Sequence, residues 1–241
     1  MSEHSHRVVD EFDGGFGWIA HPSKSFERTS HALRTDDGLW LLDPLDAPGP
    51  DDVLAERSPG EDDDADVAGV AVCAGWHARD AATVAARHDV PVTVPALIDR
   101  PLARLDAPAG DTVEVERVEE HVPGTDVTLH RVSPMGAWTE AVCWRRDDGT
   151  LYVSESLRAT ETFLVGDERL GVSIYARLAP PRATLVGFDP DRVLVGHGDG
   201  VFDGASAALA YAIAGSRARF PRALLAYGPR AMANLATAVL R

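Results

Sequence analysis

Lysine is almost missing from this chain: Lys24 is alone among 23 basic residues, and the others are arginine. The two cysteines, Cys73 and Cys143, are too few for a disulfide framework. Each falls in an apolar run, Val70–Cys73 or Ala141–Cys143, and reads as a small buried hydrophobe. Long hydrophobic runs are also lacking. The longest, Ala205–Gly215, is too short to cross a bilayer, and Met1–Asp13 is polar and charged, unlike a secretory signal. A cytoplasmic protein with no membrane role is expected. No GxSxG elbow, P-loop, CxxC or GxGxxG opens a helix after a strand. Gly196–Gly200 is a GxGxG, but Val201-Phe202-Asp203 separates it from the next helix, so no helix dipole is aimed at it.

Acid is what the chain has in excess. Thirty-eight acidic residues give a formal net charge of −15. A negative field disfavours nucleic-acid binding, which needs the opposite sign. Many carboxylates with almost no lysine reads as adaptation to concentrated salt, where screening weakens self-repulsion, or as an acidic surface for a basic partner. The charge is uneven. Gly204–Arg241 holds five arginines and no acid, which leaves −20 on the residues before it. That segment reads as alanine-rich helices with an arginine rim, or as a docking face for a second copy of the chain.

At 241 residues one domain is expected over 1–241, with 204–241 as a C-terminal helical extension packed on it. Strands are read at 17–20, 30–33, 39–42, 67–73, 90–94, 112–118, 127–132, 140–144, 151–153 and 191–195. Helices are read at 51–57, 80–88, 171–178, 181–187, 203–217 and 221–240, the last with Leu224, Leu225, Met232, Leu235 and Val239 as its apolar side. Glu61–Asp64 reads as an acidic loop tip and Ala107–Gly110 as a turn. Strands then helix, twice over, suggest two halves stacked with sheets inside and helices outside.

Three segments carry chemistry. In Val195-Gly196-His197-Gly198 a buried strand ends in glycines that let the backbone turn sharply around one histidine. Gly75-Trp76-His77-Ala78-Arg79-Asp80 joins a buried strand to a helix, where open sheets place ligands and where Asp80 could also serve as an N-cap. Ser154-Glu155-Ser156 follows another strand.

The order Leu41-Leu42-Asp43-Pro44, Cys73–Asp80, Leu151–Glu155 and Gly196-His197-Gly198 resembles the metallo-β-lactamase superfamily over about residues 17–215. The resemblance implies an α/β fold, a four-layer αββα sandwich, and a cleft that binds one or two zinc or iron ions in hydrolases of esters, thioesters, amides or phosphodiesters. It also implies ligand losses. Placing Asp80 on the Asp of the HxHxDH motif puts Trp76, Ala78 and Ala81 on its histidines and His77 on a spacer. Ser133–Thr139 lacks the next histidine. Asp80 and His197 are kept, Glu155 replaces the bridging Asp, and four positions have no donor.

The implied metal set is therefore Asp80, Glu155 and His197. Catalytic candidates are Asp80, His197 and His77, in a cleft lined by Asp43, Trp76, Gly136, Gly196 and Gly198. Such a set suits either no ion or one weakly held zinc, manganese or iron, and too few donors remain for two-metal chemistry. A non-hydrolytic protein that binds a small molecule or acts as a scaffold is the first expectation. A mononuclear hydrolase acting on an ester, thioester or phosphodiester is the second.

Overall fold

The computed structural model describes residues 6–24, 26–58, 66–98, 105, 113–136 and 138–239, with side chains left out at 79, 135 and 230–239. The acidic tip at 61–64, the turn at 107–110 and the side chains of Met232, Leu235 and Val239 lie outside these. Among the described residues no helix is long and apolar enough to cross a membrane.

Strict alternation of side chains builds four layers. The first sheet runs in chain order, β1 (His6–Phe12), β2 (Gly15–Ala20), β3 (Thr29–Thr35), β4 (Gly38–Leu42), β5 (Val67–Ala71), β6 (Val92–Pro95) and β7 (Val115–Val118). Its first four strands are antiparallel, and β4 to β7 are parallel. The second sheet orders β8 (Val127–Val132), β9 (Glu140–Arg145), β10 (Thr150–Val153) and β13 (Arg192–Val195) as β13-β10-β9-β8. A small ribbon pairs β11 (Leu157–Arg158) with β12 (Gly171–Val172).

On β4, Leu39 and Leu41 face outward into a cluster with Val53 and Leu54 of α1 (Pro50–Arg57) and Ala81, Val84 and Ala85 of α2 (Ala81–His88). Trp40 and Leu42 face inward. On the second sheet Leu151, Val153, Val193 and Val195 turn outward toward α3 (Arg182–Leu185) and α4 (Ala205–Val239), while Tyr152 and Leu194 meet the first sheet. Period two thus sorts each strand into one helix-facing and one sheet-facing row.

The structure adds one edge strand and corrects three readings. His6–Phe12 is a strand, because edge pairing to β2 needs little apolar content. Residues 171–178 are not helical: Gly171–Val172 pairs with β11 and turns follow. The two expected C-terminal helices are one, Ala205–Val239, running through Pro221 and Pro229. A proline inside a helix costs about 3 kcal/mol. Bonds on both sides of Pro221 offset it, from Ser216 Oγ to Arg177 O, Arg219 Nε to Glu168 Oε1 and Tyr227 OH to Leu164 O. Leu224 and Leu225, expected to pack, are 46% and 85% exposed.

Candidate metal centre

Four strand ends converge at one edge of the sandwich. Asp43 follows β4 in the left-handed region, φ 47°, a conformation that Asp tolerates better than most residues. That turn points its carboxylate between the sheets. Oδ1 accepts from the Cys73 N–H at 2.7 Å; Oδ2 accepts from Tyr152 OH at 2.7 Å and Ser154 OH at 2.6 Å. The same Oδ2 lies 3.2 Å from His77 Nδ1.

His77 sits on a 3₁₀ turn, Gly75–Asp80, ahead of α2. Three residues per turn, rather than 3.6, point it inward and leave Trp76 half-buried against Trp138, ring centroids 6.1 Å apart. Glu155 lies two residues past β10, on a loop fixed by Glu140. The buried Glu140 carboxylate accepts from the Glu155 N–H at 2.6 Å and the Ser156 N–H at 3.0 Å.

His197 lies two residues past β13. Its loop is clipped to the start of β3 by Thr29 N–H to Gly196 O and to the β2–β3 connection by Gly198 N–H to Glu27 O. Gly196 is required by space: a Cβ there would collide with Ser154 O and come within 2.8 Å of His77 Cε1. Gly198 has φ +91°.

These elements bring His77, Glu155 and His197 together. One ligand atom from each lies within 4.8 Å of the others, and this is the one such group among the described residues. His77 Nε2 is 2.9 Å from Glu155 Oε1, and His197 Nε2 is 3.4 Å from the same oxygen. Asp80 lies outside the group, as the N-cap residue of α2. Where the sequence placed Asp80 as a ligand, the tighter 3₁₀ turn presents His77. Gly136 is exposed at the end of a 3₁₀ turn, with open space where a Cβ would stand.

Burial opposes the His77 cation, but Asp43 and Glu155 more than offset it and lift the ring to about 10. Burial and the nearby Arg158 guanidinium lower His197 to about 4, so its ring is neutral. Burial alone would raise Glu155, but the Arg158 charge and then the His77 hydrogen bond outweigh it and hold the carboxyl well below the usual carboxylate range. Arg158 Nη2 donates to Glu155 Oε2 at 2.6 Å. Burial raises Glu140 to about 7.

The donors pass a test for one divalent ion. Phe26 O can only accept, so the neutral His197 ring must place its proton on Nδ1, which donates there at 2.8 Å. Its Nε2 lone pair then faces Glu155 Oε1, an acceptor that already takes the His77 Nε2 proton, so a cation in place of that proton is what would give the His197 lone pair a partner. Bonds of 2.0–2.2 Å to a common ion put ligand atoms roughly 3–3.5 Å apart, and 2.9 and 3.4 Å lie close to that range. Two imidazoles and one carboxylate are a known zinc set. The Arg158 charge beside Glu155 weakens the hold on any cation. The sequence marks Asp43 only as a cleft residue and does not single out Glu140; a lone Glu opening the apolar run Glu140–Trp144 is the available signal for the latter.

No protein-family model matches the chain, and no curated protein does. Solved structures do. A metallo-β-lactamase from Pontibacter korlensis is 12% identical, with TM-score 0.61 over 88% of this chain and 99% of that one. A metallo-β-lactamase from Hirschia baltica is 13% identical, with TM-score 0.56 over 86% and 97%. A metal-soaked flavodiiron core from Synechocystis sp. is 13% identical, with TM-score 0.60 over 89% and 61%. The chain therefore has the metallo-β-lactamase fold. Within it, the particular feature is a three-donor His-Glu-His group that could hold a metal ion.

Proposed function

We propose that the chain binds a single divalent metal ion through His77, Glu155 and His197, and that this closed centre serves binding rather than hydrolysis. One observation carries the reading. Both imidazoles are anchored through Nδ1, His77 on Asp43 and Ser154 and His197 on Phe26 O, and both turn Nε2 to the same oxygen of Glu155. Outer partners of this kind fix the tautomer of a metal-ligating histidine. A bound zinc, iron or manganese ion supplies Lewis acidity at this point.

The residues themselves do the rest. Asp43 holds the His77 Nδ1 proton, Glu140 holds the Glu155 loop, and His77 gives up its Nε2 proton on ligation. Hydrolysis needs an open position for water. Here His77, Glu155 and His197 are 6%, 6% and 3% exposed, and Arg158 occupies the other oxygen of Glu155. This favours a binding role over a mononuclear hydrolase built on Asp80, Glu155 and His197.

The test is calorimetric titration of chelator-stripped protein with Zn²⁺ or Mn²⁺ at several pH values. The expected result is one ion per chain, with affinity rising about tenfold per pH unit between neutrality and pH 10 because one proton is displaced. Absence of binding at millimolar ion would leave the cluster as a metal-free charge network and end the proposal. Ester, thioester and phosphodiester substrates should show no turnover above the free ion. Turnover that His197→Ala removes would restore the hydrolase.

A further inference from the structure

We infer that Cys73 and Cys143 form a thiol pair that closes to a disulfide joining the two sheets, whether or not the centre holds an ion. They are the only cysteines of the chain, 70 positions apart, and their Sγ atoms lie 3.4 Å from each other. Cys73 follows β5 of the first sheet, and Cys143 lies in β9 of the second. Both belong to the apolar cluster between the sheets.

A disulfide has sulphurs about 2.05 Å apart, so roughly 1.4 Å of approach is needed, within reach of side-chain rotation. The backbones are already pinned. Ala141 N–H donates to Cys73 O at 2.7 Å, and Ala74 pairs with Glu140 in an antiparallel bridge. Cys143 is two residues past Ala141, on the same inward row of β9.

The chemistry needs a small disulfide oxidant, R–S–S–R. One cysteine thiolate attacks it, its S–S bond breaks, and a thiolate RS⁻ leaves. The second cysteine then attacks the mixed disulfide and expels the second RS⁻. Two electrons pass from the cysteines to the oxidant, and the two thiol protons end on two RSH.

Hydrogen bonding to Cys143, then burial, push the Cys73 thiol well up, and the two residues are 0% and 2% exposed. The folded protein therefore reacts slowly, and the bond closes most readily while the chain is folding. Once formed, it ties two buttresses of the centre together. Cys73 N–H holds Asp43, and Glu140, three residues before Cys143, holds Glu155.

The full chain is refolded from denaturant with oxidised glutathione or with a reductant. The oxidised sample should be lighter by about 2 Da, with no thiol titratable in denaturant. Its Tm should rise by about 5–15 °C, because the cross-link closes a long loop in the unfolded chain. Cys143→Ala should show neither change. Two free thiols in natively folded oxidised protein would overturn the inference. So would glutathione adducts, disulfide-linked dimers, or a cross-linked chain whose Tm does not rise.

Discussion

Replacing Glu155 by Gln changes almost no volume and removes the charge that His77 and Arg158 share. The carboxylate is 6% exposed, 2.9 Å from His77 Nε2 and 2.6 Å from Arg158 Nη2. Removing one member of a buried, hydrogen-bonded ion network leaves the others uncompensated and costs about 3–5 kcal/mol. In a domain of this size each kcal/mol moves Tm by about 2–4 °C, so a fall of roughly 6–20 °C is expected in chelator-treated protein near pH 7. Calorimetry or circular dichroism reads it directly. Adding Arg158→Leu should recover part of the loss, since the double variant no longer buries an unpaired guanidinium, and the two changes should be non-additive by at least about 1 kcal/mol. A Glu155→Gln Tm within about 2 °C of the parent would refute the reasoning, because the network would then contribute nothing to the fold.

Three further outcomes follow from the same geometry. In metal-free protein the lowered His197 makes stability fall by about 3 kcal/mol as pH drops from about 6.5 to about 4, because the unfolded chain takes up a proton that the folded one refuses. Denaturant curves across that window should show a shallower loss in His197→Gln, and an identical slope would count against the assignment. Asp43→Asn removes the negative charge behind His77 Nδ1. The His77 titration, followed by NMR, should drop from about 10 by at least about one unit, and an unmoved titration would show that Asp43 does not hold that proton. Gly196→Ala drives a methyl into Ser154 O and His77 Cε1 and should cost about 1–3 kcal/mol by denaturant titration, with weaker metal binding; a neutral effect would contradict the packing.

The layered fold is legible because its central strands are short, continuous apolar runs bounded by turn residues. Leu39-Trp40-Leu41-Leu42 and Val193-Leu194-Val195 are apolar and buried throughout, so each reads as a strand, while the sorting of alternate side chains to opposite faces emerges only from the packing. His197 is legible for a similar reason: two glycines beside one histidine at a strand end mark a sharp turn that brings an imidazole close to neighbouring backbone. His77 stands out as a candidate but falls on a spacer position of the motif. Nothing in Gly75–Asp80 distinguishes a 3₁₀ turn from the first turn of a helix, and the difference in pitch decides which side chain points inward. Asp43 ends its strand as the pattern implies, yet its bond to His77 depends on a left-handed residue. The continuity of α4 is hidden by Pro221, whose cost is offset by partners far along the chain at Glu168, Leu164 and Arg177. Contacts of that range leave no local trace in a sequence.

The central claim, one ion among His77, Glu155 and His197, is met most directly by anomalous diffraction at the zinc edge from crystals grown with Zn²⁺. The account predicts a single peak per chain, bonded at about 2.0–2.2 Å to Nε2 of both histidines and to Glu155. A map with no peak there while His77 Nε2 keeps its bond to Glu155, or with two ions in the cleft, would contradict it.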